Sequence, residues 1–153
     1  MSRLAFLSPD DATVPAVSPL RGVEPRGFTD VSALGKLEVR GGVPAGAIET
    51  GPDRALVVVD GDVRATRDRL LEQGYRVYDV TGGLAGLVVE GERLMRRLTE
   101  LDLDRLPTVG SIARGTPAVI ERLDGDRFRL FVPQELGRYV AEVVNDLAEG
   151  LAA

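Results

Sequence analysis

Few residue types in this chain can do chemistry. Cysteine and histidine are both absent, which removes thiolate and imidazole nucleophiles, Ser-His-Asp relays and Cys/His zinc sites. Carboxylates, hydroxyls, three tyrosines, eighteen arginines and a single lysine, Lys36, remain. Asp30 and Asp79 each stand two residues ahead of a hydroxyl, Ser32 and Thr81. They could be read as paired carboxylates, but an aspartate so placed ordinarily caps the turn that follows by accepting backbone N–H bonds, and capping is the expected role. The run Gly82-Gly83-Leu84-Ala85-Gly86 lacks the spacing of a phosphate-binding loop and leads into a strand instead of a helix N-terminus, so it reads as a turn. Ser32, Thr81 and Ser111 have no histidine to take their protons, which argues against nucleophilic catalysis. Tyr75 and Tyr78 read as half-buried packing residues. Arg93, Arg96 and Arg97 line the outside of one helix. They form either its solvated face or an interface, since arginine is enriched where proteins dock and pairs bidentately with carboxylates.

The elements that position these groups follow from local pattern. Residues 36–40 alternate charged and apolar, the period of a half-buried strand, and end at Gly41-Gly42. Residues 43–51, punctuated by Pro44, Gly46 and Gly51, hold only a short strand or a loop. Ala55 to Val59 is a continuous apolar run of strand length. Asp62 is placed to cap a helix over 62–73 whose Val63, Thr66, Leu70 and Leu71 share a face, with Gly74 beyond it. Strands at 75–80 and 84–90 are separated by Thr81-Gly82-Gly83. A helix over 92–101 opens with acidic residues and places Leu94, Met95, Leu98 and Leu101 together. Strands at 118–123 and 128–132 are joined by Asp124-Gly125-Asp126, a hairpin signal. In the last helix, 135–148, Leu136, Tyr139, Val140, Val143, Val144 and Leu147 form a broad apolar stripe.

Residues 1–27 form a proline-rich N-terminal arm, with Pro9, Pro15, Pro19 and Pro25 excluding a regular helix. It is either a flexible tail or an arm laid along a partner subunit; Leu4, Phe6, Leu7, Val14, Val17 and Leu20 are apolar surface in need of a destination. The remainder, 28–153, reads as a single domain of ordinary globular composition, 44% hydrophobic and 28% charged. A formal charge of −5 argues against a nucleic-acid partner. No apolar run approaches a membrane span, and the N-terminus falls short of a secretory signal, so a cytoplasmic protein without a membrane partner is expected.

Within that domain an internal duplication is visible. Asp30-Val31-Ser32 followed by Leu37, Val39 and Gly41 recurs as Asp79-Val80-Thr81 followed by Leu87, Val89 and Gly91. Asp53-Arg54 with its strand and helix parallels Asp126-Arg127 with a strand and helix. The halves divide as 28–74 and 75–148, the second carrying an additional helix. This order gives an α+β fold: two ferredoxin-like, split βαβ half-units, with helices packed on antiparallel sheet.

At Asp79-Val80-Thr81, Gly86 to Gly91, Leu98 through Asp104, and Asp126-Arg127-Phe128-Arg129-Leu130-Phe131-Val132 with its following helix, the chain resembles the folate-binding aminomethyltransferase superfamily, which contains the glycine-cleavage T-protein and the subunits of heterotetrameric sarcosine oxidase. Its length, Ser18-Pro19-Leu20, Leu101-Asp102-Leu103 and Val109 to Arg114, read as a turn, look most like the sarcosine oxidase gamma subunit family. The resemblance implies a non-catalytic subunit, holding no cofactor itself, in a complex whose larger flavoprotein subunits carry flavin, NAD and tetrahydrofolate and demethylate sarcosine oxidatively. Leu4, Phe6, Leu7, Arg93, Arg96 and Arg97 are the expected interface residues. One departure supports a silent relative: the acidic pair near the folate ring of the catalytic T-protein falls here at Thr116-Pro117, and neither residue can carry charge or accept a proton. The alternative is a stand-alone folate-binding or aminomethyltransferase-related one-carbon protein.

Overall fold

A computed structural model describes residues 17–153. In chain order the elements are β1 (Thr29–Asp30), β2 (Gly35–Arg40), β3 (Ile48–Gly51), β4 (Arg54–Val59), α1 (Val63–Glu72), β5 (Arg76–Asp79), β6 (Leu84–Glu90), α2 (Glu92–Leu98), β7 (Thr108–Ile112), β8 (Thr116–Arg122), β9 (Arg127–Pro133) and α3 (Gln134–Ala152), with short 3₁₀ turns at Thr81–Gly83 and Leu103–Arg105. They build two antiparallel sheets, one ordered β1-β6-β9-β8-β7 and the other β3-β4-β2-β5. The fold is α+β, as expected.

The split βαβ arrangement is explicit in the larger sheet. β6 and β8 are each antiparallel to β9, which lies between them, so they run parallel to one another, and the connection runs through α2 and then β7, which pairs on the far side of β8. In the smaller sheet β2 and β3 are related in the same way through β4, with a loop where the helix would be. A division at residue 74, however, does not give each half its own sheet. β5 pairs with β2 of the first half, and β1 pairs with β6 of the second. The first strand of each motif thus covers an edge in the other, leaving fewer unpaired backbone groups than two separate units would.

Two apolar clusters hold the helices. Leu87, Val89, Phe128, Leu130 and Val132 face α2 and α3, where Leu94, Met95, Leu98, Val140 and Val144 close the larger cluster. Each such side chain contributes about 1.5–3 kcal/mol by leaving water. Leu37, Val39, Val59 and Val77 meet Leu70 of α1 in the smaller one. The stripe on α3 runs through Val140 and Val144 as expected, but Tyr139 is 43% exposed and reaches the structure only through its hydroxyl, which donates to the Ala113 carbonyl at 3.2 Å. On α1, capped by Asp62 through the Ala65 N–H as expected, Leu70 alone is buried and Leu71 is 45% exposed. One short helix on one sheet has a narrow line of contact, and Leu71 lies past it.

Helix α2 is shorter than 92–101. Thr99 is extended, and its Oγ1 donates to the Ser111 carbonyl at 2.8 Å while accepting the Leu101 N–H, so the side chain satisfies groups the helix would have used. Val109 to Ile112 belongs to β7, and the turn is confined to 113–115.

Residues 17–27 do not lie free as an arm. Leu20 is 2% exposed in the larger cluster. Asn145 of α3 ties the segment down: its Oδ1 accepts the N–H groups of Arg26 and Gly27 at 3.1 and 2.8 Å, and its amide donates to the Glu24 carbonyl at 2.7 Å. Leu4, Phe6, Leu7 and Val14 lie outside the described residues.

Candidate functional site

The two Asp-Val-Ser/Thr turns occupy the seam between the sheets and make matching bonds. Asp30 Oδ1 accepts the Ser32 N–H at 2.9 Å, and Asp79 Oδ1 accepts the Thr81 N–H at 2.9 Å. These are the turn caps expected of them. Val31 N–H donates to the Gly86 carbonyl, and Val80 N–H donates to the Lys36 carbonyl, both at 2.9 Å. Ser32 Oγ accepts the Gly86 N–H at 3.1 Å, while Thr81 Oγ1 accepts the Lys36 N–H at 2.9 Å. Lys36 and Gly86 stand one residue before the matching leucines Leu37 and Leu87. Each hydroxyl therefore clasps the backbone of the opposite repeat. A side chain at 86 would collide there, since its Cβ would lie 3.0 Å from the Val31 carbonyl oxygen.

Lys36 departs from its expected place. Alternation along β2 sets it on the polar face, yet it is 0% exposed, because the larger sheet covers that face. Its Nζ donates to the Ser32 and Leu84 carbonyls at 2.6 and 3.0 Å and lies 5.8 Å from the Phe131 ring centre. Burial pushes its pKa down, and the nearby carboxylates Asp30 and Asp79 oppose that shift. Burial also opposes ionisation of Asp30, but the Ser18 hydroxyl, the Ser32 N–H and hydroxyl, and Lys36 together hold it below the ordinary carboxylate value. The seam is thus a structural clasp with a buried cation. Its hydroxyls are engaged with backbone, which leaves none free as a nucleophile.

Beside the seam, Leu56, Leu84, Val109 and Val119 line an open groove of about 330 Å³ with Glu38 and Arg54 at its rim. Arg40 and Arg54 outweigh burial at Glu38 and keep its carboxyl below the usual range. Tyr78, expected to be half-buried, is 48% exposed with the Arg40 guanidinium 5.2 Å from its ring centre; Tyr75 packs against the smaller cluster as expected.

The second candidate surface is a cleft of about 620 Å³ beyond the end of α2, between Arg96, Arg97, Leu101, Ser111 and Arg114. All three helix arginines are exposed, but the structure separates them. Arg97 lines the cleft. Arg96 lines it too while paired with Glu92, whose second oxygen meets Arg122 at 3.4 Å. Arg93 lies outside it. Arg114 is a residue that pattern reasoning passed over, and the signal for it was the Ala-Arg-Gly turn that ends β7.

At the position of the acidic pair, Thr116 is buried and Pro117 exposed at the start of β8, and neither offers a carboxylate. Among the described residues, no group of three or more carboxylates could hold a metal ion.

Two stacked antiparallel sheets with exchanged first strands and helices on their outer faces define a small α+β class of domain. Within it the chain is similar to a chain in the solved structure of heterotetrameric sarcosine oxidase from Corynebacterium sp. U-96 in complex with pyrrole 2-carboxylate, with a TM-score of 0.67, 16% sequence identity, and 85% of this chain and 88% of that chain covered. The resemblance expected from the motifs therefore holds at the level of fold. No protein-family model matches the sequence, and no curated protein does. No helix among the described residues is long and apolar enough to cross a membrane.

Proposed function

We propose that this chain is a small architectural subunit of a multi-subunit, sarcosine oxidase-like flavoenzyme. The observation that carries the reading is the near-complete mutual coverage with one chain of such an enzyme. The match takes in 85% of this chain and 88% of that chain, so the likeness is to most of one chain of the assembly. The chemistry of this chain agrees: the seam hydroxyls bond backbone, the lone lysine is enclosed, and Thr116-Pro117 replaces the acidic pair. Larger partners would carry flavin, NAD and tetrahydrofolate and oxidise N-methylglycine, while this chain braces them through its exposed arginines and the apolar residues Leu4, Phe6 and Leu7.

Co-expression of the tagged chain with its native partners tests this. A yellow flavoprotein co-purifying with it is the expected result, and a chain that stays alone under those conditions contradicts it. Calorimetric titration of the isolated chain with tetrahydrofolate separates the alternative of a free-standing folate protein. The subunit reading predicts no binding heat.

A further inference from the structure

We propose that the cleft beyond α2 is a docking site for a carboxylate-bearing polypeptide segment, gripped by Arg97 and Arg114. The proposal rests on the subunit reading and assigns the chemistry of the contact.

The geometry points there in three ways. First, the two guanidiniums are available. Arg40, Arg54, Arg96, Arg105, Arg122, Arg127, Arg129 and Arg138 all pair with carboxylates of this chain. Arg97 and Arg114, facing the cleft, have no hydrogen-bond or ion-pair partner among the described residues.

Second, the turn that presents Arg114 is held in a costly conformation. Ala113 and Arg114 are consecutive non-glycine residues with φ of 43° and 62°, ahead of Gly115 at 105°. Left-handed backbone is unfavourable for residues with a Cβ, and such strain persists only where surrounding structure enforces it. Here the Ala113 N–H donates to the Leu98 carbonyl at 2.9 Å, the Gly115 N–H donates to the Ile112 carbonyl at 3.1 Å, and the Tyr139 hydroxyl holds the Ala113 carbonyl. Because Leu98 follows Arg97 directly, the same bond fixes the two arginines' backbones to one another. With their backbones held at a fixed spacing, the two arginines have only side-chain freedom to lose on binding.

Third, the lining selects a peptide over a polyphosphate. Leu101 supplies an apolar wall and Ser111 is exposed beside it, while Glu100 in the lining opposes a dense anion such as a polyphosphate more than a singly charged carboxylate. The chain as a whole is at −5, which repels nucleic acid at long range. Two arginine forks suit carboxylates, each able to take two parallel hydrogen bonds. A short segment with one or two carboxylates and an apolar residue fits the two guanidiniums and the Leu101 wall with the least repulsion from Glu100.

Fluorescence anisotropy of the full chain with a labelled glutamate- and leucine-containing peptide reads the contact directly. Arg97→Gln combined with Arg114→Gln is expected to weaken binding by about tenfold or more, as loss of charge-assisted bonds implies. Arg67→Gln combined with Arg69→Gln removes equal charge from α1 and should leave affinity unchanged. Absence of peptide binding, equal binding by both double variants, or tighter binding of an oligonucleotide of matched charge would overturn the proposal. In the co-expressed complex, loss of co-purification on Arg97→Glu with Arg114→Glu supports it. If wild type and this variant co-purify with the flavoprotein equally, the docking proposal falls while the subunit reading stands; if the wild type fails to co-purify, the subunit reading falls.

Discussion

Ser32 and Thr81 show how one atom per repeat can hold two sheets together. Each hydroxyl accepts a backbone N–H from the opposite repeat, and removing it strands a donor where water has little access. Ser32→Ala is therefore expected to cost about 1–3 kcal/mol in urea unfolding, and a cost within error of zero would show that the clasp is ornamental. Lys36 gives a second prediction, with a sign. Its folded pKa lies below the ordinary lysine value of 10.5, so the unfolded chain binds more protons as pH climbs from the folded pKa toward the unfolded one. Stability linked to this group rises across that window. Compared with Lys36→Met, the wild type should gain stability as pH rises toward the ordinary lysine value of 10.5, and a gap that is flat or moves the other way contradicts the assignment. For Asp30 the slope has the same sign but the ionised form is the favoured one: its pKa is lowered on folding, so its contribution is present above the unfolded value and is lost as pH falls through the folded one. Asp30→Asn should therefore cost stability near neutral pH and progressively less in acid.

At the scale of elements, close approach decides more than propensity. Helix α3 meets β6 at Gly137, where an added Cβ would lie 2.6 Å from the Ala85 Cβ. Gly137→Ala should destabilise by about 1–3 kcal/mol through overpacking, despite the helical preference of alanine. Gly150→Ala, in open space on the same helix, should stabilise by up to about 1 kcal/mol. Thermal unfolding of the two variants checks the contrast, and a stabilised Gly137→Ala would contradict the packing. Local pattern made most elements legible: the Asp124-Gly125-Asp126 hairpin, the Asp62 cap and the α3 stripe are written in neighbouring residues. What escaped depends on distant chain. β1 is two residues long and exists because β6 offers an edge, and β5 joins a sheet its own sequence does not name. Lys36 looks solvent-facing because alternation reports on one sheet and cannot register a second one stacked over it. The cleft was half legible, because α2 displays Arg96 and Arg97, whereas Arg114 joins them only through a backbone bond across the fold.

At the scale of the whole molecule, the described polar groups of the seam are spent on structure. The hydroxyl clasps, the buried ammonium and the carboxylates of Asp30 and Asp79 serve the seam, while Arg97 and Arg114 face outward. The fold is similar to that of a chain of heterotetrameric sarcosine oxidase over 85% of this chain, and the proposed subunit role is what remains to be tested. Native mass spectrometry of material purified through this chain tests that account most directly. The expected spectrum contains the 16.4 kDa subunit in an assembly with larger chains and bound flavin. A spectrum of the chain by itself, from cells that also make those larger chains, would contradict it.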